Sequence, residues 1–229
     1  MIALTEKLPK ARGGPSAEYI RIKCLFDCYK EDKNTLFWLQ DGGRAVISLS
    51  DGDMTVYRRG GNGEELTDFV KMLSPRSVFS DLDTLAAMGF KDINQLNVMR
   101  RRADAAGMPE GDSLSSREIY DILNVSGFCL PEYPFFAVDF CRRLNRGAAE
   151  YFALKSRCAA VSFHTGKFAL LCGIVSREKG LGALALGAIL QKNRGRELLA
   201  CCGDSTVGFY EKNGFQKLYK AGYWCRNQT

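Results

Sequence analysis

Residues 176–187 read SREKGLGALALG, and this stretch decides how the rest of the chain is interpreted. It follows the apolar run FALLCGIV at 168–175, which is typical of a buried strand, and it continues into small apolar residues typical of a helix. Two glycines one residue apart at a strand-to-helix junction favour a phosphate-binding loop, because backbone N–H groups can approach an anion closely there. Several unrelated folds contain such a loop, so the surrounding residues must distinguish them.

The length of 229 residues allows one large core or two smaller ones, and the composition is that of an ordinary soluble globular protein. The nearly uncharged stretch that contains the glycine pair, 180–191, is about a dozen residues long, whereas a membrane-spanning helix needs roughly 20. The first residues contain no apolar block of signal-peptide length. We therefore expect a cytoplasmic protein without a membrane span.

The nine cysteines form no C-x-x-C pair, and His164 is the single histidine. A zinc site or a secreted disulfide framework needs closer spacing or more histidines, so we expect no metal. The cysteines are interpreted as small buried residues in a reducing compartment.

Charge is distributed unevenly along the chain. Residues 1–128 contain 17 Lys and Arg against 19 Asp and Glu, a net charge of −2, and residues 129–229 contain 15 against 7, a net charge of +8. A basic half suits a polyanionic ligand, although it is equally compatible with a solvated positive face. Nucleic acid is disfavoured as that ligand, because the basic run MRRRAD at 99–104 lies in the other half.

Two familiar phosphate loops fit the glycine pair poorly. A Walker A loop needs Gly-Lys-Ser or Gly-Lys-Thr at its end, and Leu181 and Gly182 follow Gly180 instead. A dinucleotide loop fits GLGALA as G-x-G-x-x-A, with Asp204 beyond the next strand. However, SREK intervenes after the strand and brings Glu178 near the pyrophosphate position. The 25 residues after Asp204 are also too few for the rest of a doubly wound sheet.

The second half reads as a succession of short elements. A helix is predicted over FAVDFCRRLNRGAAEYFAL at 136–154. A hairpin of two strands follows, formed by CAAVSF at 158–163 and KFALLCGIV at 167–175. The next helix runs to KNRG at 192–195, with Gly195 as its left-handed cap. RELLACC is predicted as a strand, STVGFYEKNG as a helix, and FQKLY and GYWCRN as a final pair of strands. The predicted order is α, β, β, α, β, α, β, β.

This second half resembles the GNAT-type N-acetyltransferases over about residues 137–229. The segment from Arg177 to Gly182 fits [RQ]-x-x-G-x-[GA], the coenzyme A pyrophosphate loop of that superfamily, and STVGFYEKNGF resembles its helix ending in a tyrosine and Gly-Phe. The resemblance implies an α+β, three-layer fold with a mixed, mostly antiparallel sheet flanked by helices. It also implies transfer of an acetyl group from acetyl-CoA to a primary amine.

The resemblance assigns the site residue by residue. Tyr210 would be the acid that protonates the departing thiolate, with a buried aromatic of an amphipathic helix as the alternative interpretation of this residue. Coenzyme A would be bound through the loop, the first helical turn and the strand edge before them, which comprise Ile174, Val175, Ser176, Arg177, Lys179, Gly180, Leu181, Gly182 and Ala183.

Two features leave the chemistry open. The position seven residues before Tyr210, an asparagine in many members, is Gly203 here, and Asp204 or Ser205 would have to replace its polar contact. No general base stands out: Glu132, Asp139 and Glu150 are candidates by default, and His164 lies at the far end of the hairpin. A non-catalytic coenzyme A-binding or partner-binding module is therefore the alternative, and the acceptor and the choice between monomer and homodimer are not specified.

The first half repeats the plan of the second. An Arg-x-x-Gly-x-Gly loop starts at Arg58 and another at Arg177, and Gly-Phe pairs start at Gly89 and Gly214, so the offsets of 119 and 125 nearly agree. Both patterns are short enough for chance to produce them. We interpret them as a tandem, with a degenerate lobe at 1–112 and a catalytic lobe at 113–229. The first lobe is expected to bind no cofactor, because Glu64 and Glu65 open its helix.

Overall fold

The computed structural model of the protein describes residues 1–9, 14–104, 107, 110–125 and 130–226. The chain forms two compact units. Unit 1 contains Met1–Met99 together with the chain from Cys201 onward, and unit 2 contains Arg100–Ala200. These units are defined by packing, whereas the lobes 1–112 and 113–229 are defined by repeated sequence and stay a prediction.

Unit 1 begins with a short strand and a helix, followed by three strands in succession. Its elements are β1 (Ile2–Leu4), α1 (Ala17–Tyr29), β2 (Thr35–Gln40), β3 (Ala45–Ser50), β4 (Asp53–Arg58), α2 (Gly63–Leu73), β5 (Ser77–Asp81), α3 (Leu82–Ala87) and β6 (Asn94–Arg102), whose last residues fall in unit 2. The end of the chain adds a 3₁₀ helix (Asp204–Thr206), α7 (Val207–Lys212) and β11 (Gln216–Cys225).

The sheet of unit 1 has the order β1-β2-β3-β4-β5-β11-β6. Strands β1 to β4 pair antiparallel, β4 and β5 pair parallel from Asp53↔Ser77 to Thr55↔Phe79, and β11 pairs antiparallel with β5. The last strand of the chain therefore completes the sheet that the first strands begin. Two buried apolar clusters support this sheet, one around Leu66 and Val70 of α2 and one around Ile22 and Phe26 of α1.

Unit 2 contains two helices, three antiparallel strands, a helix and one further strand. The elements are α4 (Ser116–Leu123), α5 (Tyr133–Asn145), β7 (Ala149–Leu154), β8 (Cys158–Thr165), β9 (Phe168–Ser176), α6 (Leu181–Lys192) and β10 (Glu197–Cys202), whose last two residues fall in unit 1. The strand order is β10-β9-β8-β7, with β9 and β10 parallel and the other pairs antiparallel.

Helices cover both faces of the sheet in unit 2. Phe136 and Phe140 of α5 pack with Ile119 of α4 against Ala159 and Val161 of β8. On the opposite face, the amide of Asn193 at the end of α6 donates to the hydroxyl of Ser162, which is the neighbour of Val161 and therefore points the other way. The predicted mixed, mostly antiparallel sheet flanked by helices is confirmed.

Two predicted elements were wrong. The helix predicted through AEYFAL ends at Asn145, because Gly147 adopts a positive φ of 60° and the chain then enters β7. The predicted final pair of strands is the single strand β11, because Gly222 is not a turn residue. A Cβ at Gly222 would lie 2.4 Å from Ile93, so this glycine permits close packing of β11 against that side chain.

The two halves share one order of elements. In the first, α1 is followed by β2, β3, β4, α2, β5, α3 and β6; in the second, α5 is followed by β7, β8, β9, α6, β10, α7 and β11. Each contains three antiparallel strands, then a helix, then a strand parallel to the third. Among the residues described, no helix is both long and apolar enough to cross a membrane.

Candidate functional site

The loop between β9 and α6 occupies the junction that the glycine pair predicted. Gly180 is the N-cap of α6 with φ 92° and ψ −31°, a conformation that favours glycine. A Cβ at Gly180 would meet no atom within 4 Å, so the space beside this residue is open.

The N-terminus of α6 is uncapped by any side chain, and its first turn contains no acidic residue. The first helical hydrogen bond of α6 is donated by the N–H of Leu184 to the carbonyl oxygen of the N-cap residue Gly180, at 3.2 Å. Within the described part of the chain, the N–H groups of Gly182 and Ala183 donate to no acceptor. A 12-residue helix that presents free donors and a positive dipole end is suited to bind an anion.

The one carboxylate in the loop is paired with an arginine. Glu178 accepts hydrogen bonds from Nε and Nη2 of Arg157, both at 2.7 Å, and about half of each side chain is exposed. The hydrogen bonds and charge of Arg157 hold the pKa of Glu178 below its usual value, so the carboxylate is ionised at neutral pH. Arg157 carries no local signal in the sequence, because its partner is 21 residues away.

Arg177 anchors the loop through its guanidinium. Nη2 donates to the carbonyl oxygen of Asp121 at 3.2 Å and Nη1 to that of Ser156 at 3.5 Å, and the backbone N–H of Arg177 donates to Arg157 at 2.9 Å. Both of these guanidinium hydrogen bonds are made to backbone carbonyls of the protein. Lys179 is exposed on the same loop.

Strand β9 has a bulge near its centre. Val161 of β8 pairs with Gly173 and Ser162 pairs with Leu171, so Cys172 is the extra residue. The ladder between β9 and β10 runs from Phe168 to Leu171 only. Beyond it, Gly173 to Ser176 pair with β8 alone among the described strands of unit 2, which leaves one backbone edge of β9 without a ladder partner there.

The predicted cofactor-binding residues are thus brought together within unit 2. Ile174 and Val175 are half-buried in the part of β9 that pairs with β8 alone. Ser176 is exposed and donates to the carbonyl oxygen of Glu178 at 2.6 Å. Leu181 and Gly182 are half-buried, while Ala183 is exposed at the first turn of α6.

The corresponding helix of unit 1, α2, is capped by its own chain. The side-chain oxygen of Asn62 accepts from the N–H groups of Glu64 at 3.0 Å and Glu65 at 3.2 Å, so the donors that are free in α6 are used in α2. An asparagine directly before a predicted helix is a recognisable capping signal in the sequence.

A buried polar side chain also packs against the loop before α2. Gln40 is completely buried, and its amide donates to the carbonyl oxygen of Asn62 and to Glu65, each at 2.8 Å. A Cβ on Gly61 would lie 2.5 Å from Oε1 of Gln40. Gly61 therefore has no room for a side chain. A cavity nevertheless lies beside the first turn of α2, with Asn62, Gly63, Glu64 and Thr67 among its lining residues.

Tyr210 belongs to unit 1 and is 6% exposed. Its ring makes edge-to-face contacts with Phe209 at 5.2 Å and Phe215 at 5.3 Å between centroids. Burial raises the pKa of its phenol well above the ordinary value, so the hydroxyl is protonated at physiological pH.

An amide lies beside the glycine that departs from the superfamily pattern. Nδ2 of Asn97, on β6, donates to Asp204 Oδ1 at 2.7 Å and to the carbonyl oxygen of Cys202 at 3.4 Å, on either side of Gly203. Its Oδ1 is buried with no hydrogen-bond partner among the residues described. The hydrogen bond from Asn97 lowers the pKa of Asp204, and Lys220 and Lys217 lower it further.

The default candidates for a general base are engaged elsewhere or exposed. Asp139 accepts from Nε of Arg143 at 2.8 Å, and Glu150 lies 3.8 Å from Nε2 of His164. Glu132 makes no capping hydrogen bond at the start of α5. Burial and then Arg196 lower the pKa of His164, which pairs at Ala169, seven strand residues or about 23 Å from Ser176.

The residues described contain no group of three or more His, Cys, Asp or Glu side chains placed to hold a metal ion.

Comparison with known proteins rests on structure alone. No protein-family model matches the chain, and no curated protein matches it in sequence. A GCN5-related N-acetyltransferase from Sphaerobacter thermophilus is similar with a TM-score of 0.51 and 14% identity, over 83% of this chain and 79% of that one. A tandem GNAT protein from the clavulanic acid biosynthesis pathway is similar with a TM-score of 0.54 and 16% identity, over 93% of this chain and 90% of that one.

These similarities define the class of fold. The chain has the fold of the GNAT-type N-acetyltransferases, as the loop and the FYEKNGF segment predicted. Its similarity extends over nearly the whole length of a tandem member, so both halves take part in the likeness. At 14–16% identity the comparison establishes the general acyl-CoA N-acyltransferase fold and leaves the substrate to be inferred.

Proposed function

We propose that the protein is an N-acetyltransferase that transfers an acetyl group from acetyl-CoA to a primary amine, with one cofactor site formed by the β9–α6 loop of unit 2. The observation that carries the proposal is the contrast between two equivalent helices. The N-terminus of α6 has free N–H donors, an open space beside Gly180 and no acidic residue, whereas the donors of α2 are satisfied by Asn62.

The residues present suit coenzyme A in two ways. The N–H groups of Gly182 and Ala183, with the helix dipole and Lys179, would hold the pyrophosphate. The unpaired edge of β9 from Gly173 to Ser176 would bind the extended pantetheine arm by backbone hydrogen bonds, as an additional strand would.

Acetyl-CoA, when bound, would supply the activated acetyl group. A backbone N–H next to the bulge at Cys172 would stabilise negative charge on the acetyl oxygen. By resemblance, Tyr210 would hold the proton that the thiolate takes up, and the raised pKa keeps its phenol protonated for that role. Asn97 supplies an amide beside Gly203, where the superfamily pattern has an asparagine of its own.

A non-catalytic coenzyme A-binding module is the second candidate. It is favoured by the tight ring packing of Tyr210, which is also what a purely structural tyrosine would have, and by the engagement of Asp139 and Glu150 with neighbouring side chains. This module would bind the cofactor in the same loop and differ only in turnover.

Two measurements separate these functions. Calorimetric titration with coenzyme A and acetyl-CoA tests the site, and release of free thiol from acetyl-CoA in the presence of a panel of amines tests catalysis. Tyr210→Phe is expected to leave the Kd for acetyl-CoA unchanged and to lower kcat by about 100-fold. Because the phenol of Tyr210 remains protonated, kcat should show no alkaline loss attributable to it up to about pH 10.

Phe209→Leu is the matched control, because it alters the packing of the same helix without removing a phenol. Binding without turnover of any amine, together with an unchanged Tyr210→Phe variant, would favour the non-catalytic module. Absence of binding by the wild-type protein would contradict both functions.

A further inference from the structure

Arg157 contacts the β9–α6 loop through both its backbone and its side chain. Its carbonyl oxygen accepts from the N–H of Arg177 at 2.9 Å, and its guanidinium makes the bidentate pair with Glu178. Arg157 lies in the turn between β7 and β8, where Ser156 adopts a φ of 58° and receives a hydrogen bond from Arg177. The turn and the loop are therefore joined at several points.

Glu178 poses an electrostatic problem for the function proposed above. It is two residues before Gly180, in a loop whose task would be to hold a pyrophosphate, and its carboxylate is ionised at neutral pH. A like charge this close weakens the binding of an anion. The bidentate pair with Arg157 neutralises the carboxylate and fixes it on the side of the loop that faces the β7–β8 turn.

We propose that Arg157 is a positioning residue of the cofactor site, which makes the loop selective for a polyanionic ligand by neutralising Glu178. This inference rests on the proposed function. Arg157 acts through Glu178 and leaves direct contact with the pyrophosphate to the backbone of α6. With Glu178 paired, Arg177 and Lys179 leave the loop with a net positive charge.

A simpler role would be mechanical, with Arg157 only strapping the loop in place. The two roles differ in what removal of Glu178 does. A strap is lost equally when either partner is removed, whereas a neutralising cation becomes unnecessary when the carboxylate it neutralises is absent.

The test is a double-mutant cycle read out by the Kd for coenzyme A, with the variants Arg157→Ala, Glu178→Gln and the two combined. Arg157→Ala is expected to raise the Kd by about tenfold, because it leaves an unpaired carboxylate beside the anion. Glu178→Gln should bind as tightly as wild type or more tightly, and the double variant should return to within about threefold of wild type. Arg157→Lys, which retains the charge, should recover most of the affinity.

The pH dependence of the Kd for coenzyme A also separates the two roles, because a purely mechanical role of Arg157 would not make it depend on the ionisation of Glu178. In Arg157→Ala the carboxyl of Glu178 loses the partner that lowers its pKa, so it is protonated as the pH is lowered toward the ordinary value of 4.5. The Kd of Arg157→Ala for coenzyme A, divided by that of wild type, should therefore fall toward one over the same pH range. The titrations of the ligand itself affect both proteins and cancel in the ratio.

Arg76→Ala is the matched control. Arg76 forms a similarly exposed two-point pair with Asp53 in unit 1, and its removal should leave the Kd unchanged. Thermal midpoints of all variants close to wild type would show that the fold is retained.

Loss of affinity in Glu178→Gln equal to that in Arg157→Ala, with no recovery in the double variant, would overturn this inference and leave the cofactor site intact. Failure of the wild-type protein to bind coenzyme A would overturn the proposed function and this inference with it.

Discussion

Gly180 is the residue on which the proposed anion site depends most directly. Its φ of 92° places any other L-residue in an unfavourable conformation, at a cost of about 1–2 kcal/mol, although the space around a new Cβ is open. Strain and charge can therefore be separated at this one position, because alanine introduces only the first and glutamate introduces both.

We expect Gly180→Ala to lower the thermal midpoint slightly and to retain measurable coenzyme A binding. Gly180→Glu should show a similar midpoint but no detectable binding by calorimetry, because a carboxylate would lie at the N-terminus of α6. Equal affinity in the two variants would show that the pyrophosphate does not bind at this helix end.

The two glycine loops also show which residue-level features can be predicted from the sequence and which cannot. The glycine pattern placed the junction between β9 and α6 correctly, because glycine spacing reflects backbone requirements that are local. The repeated motif aligns Gly61 with Gly180, so the sequence alone would offer Gly61→Glu as the matched control. The contact of 2.5 Å between a Cβ at Gly61 and Oε1 of Gln40 makes that variant disruptive. Gln40 is 21 residues from Gly61 in sequence, and no local sequence pattern predicts a contact over that separation.

At the scale of elements, the two helices α2 and α6 differ in how their first turns are satisfied. Asn62→Ala removes the cap of α2 and should cost about 1 kcal/mol of unfolding free energy. Because the site is proposed at α6 alone, the Kd for coenzyme A should stay at its wild-type value. Chemical denaturation and calorimetric titration measure the two quantities.

Asn62→Asp is the control, since an aspartate oxygen can accept the same hydrogen bonds from Glu64 and Glu65 and should preserve most of the stability. A weaker Kd in Asn62→Ala, or a second equivalent of coenzyme A bound, would argue that the loop of α2 also takes part in binding.

Most elements were predictable because their hydrophobic periodicity and the turn and capping residues at their ends are local signals. The hairpin of β8 and β9, the start of α6 at the glycine pair and the strand at RELLACC all follow such signals. The predictions for β7 and β11 were wrong for physical reasons. The apolar residues of AEYFAL fit both the helical period of 3.6 and the strand period of 2. Gly222 resembles a turn residue in the sequence, although in the structure it allows close packing against Ile93. Which residue a side chain packs against is tertiary information.

At the scale of the molecule, unit 1 is completed by the end of the chain. β11 pairs with β5, and Tyr219 of this strand donates to Glu18 of α1 at 2.7 Å, 201 residues away in sequence. Ser16 also donates to Glu18, and the phenol oxygen of Tyr219 accepts from the N–H of Ala17 at 2.9 Å. The shared order of elements in the two halves was visible as two short repeated motifs, but the return of the last strand to the first unit left no signal in the sequence.

The buried carboxyl of Glu18 makes the stability of this unit depend on pH. Desolvation raises its pKa above 4.5, although the hydrogen bonds from Ser16 and Tyr219 oppose the shift, and one of its oxygens has no partner among the residues described. A group whose pKa is higher in the folded state contributes stability that is fully present below its unfolded pKa of about 4.5 and is lost as the pH rises through the folded value.

Glu18→Gln cannot ionise, so the free energy of unfolding of wild type minus that of the variant should decrease as the pH rises from 4 to 8. Urea denaturation at several pH values measures this difference, and groups that titrate identically in both proteins cancel. Tyr219→Phe removes a donor to the ionised carboxyl and should make the decrease steeper. Parallel pH profiles for wild type and Glu18→Gln would mean that Glu18 has the same pKa folded and unfolded, and that the link between α1 and β11 is insensitive to its charge.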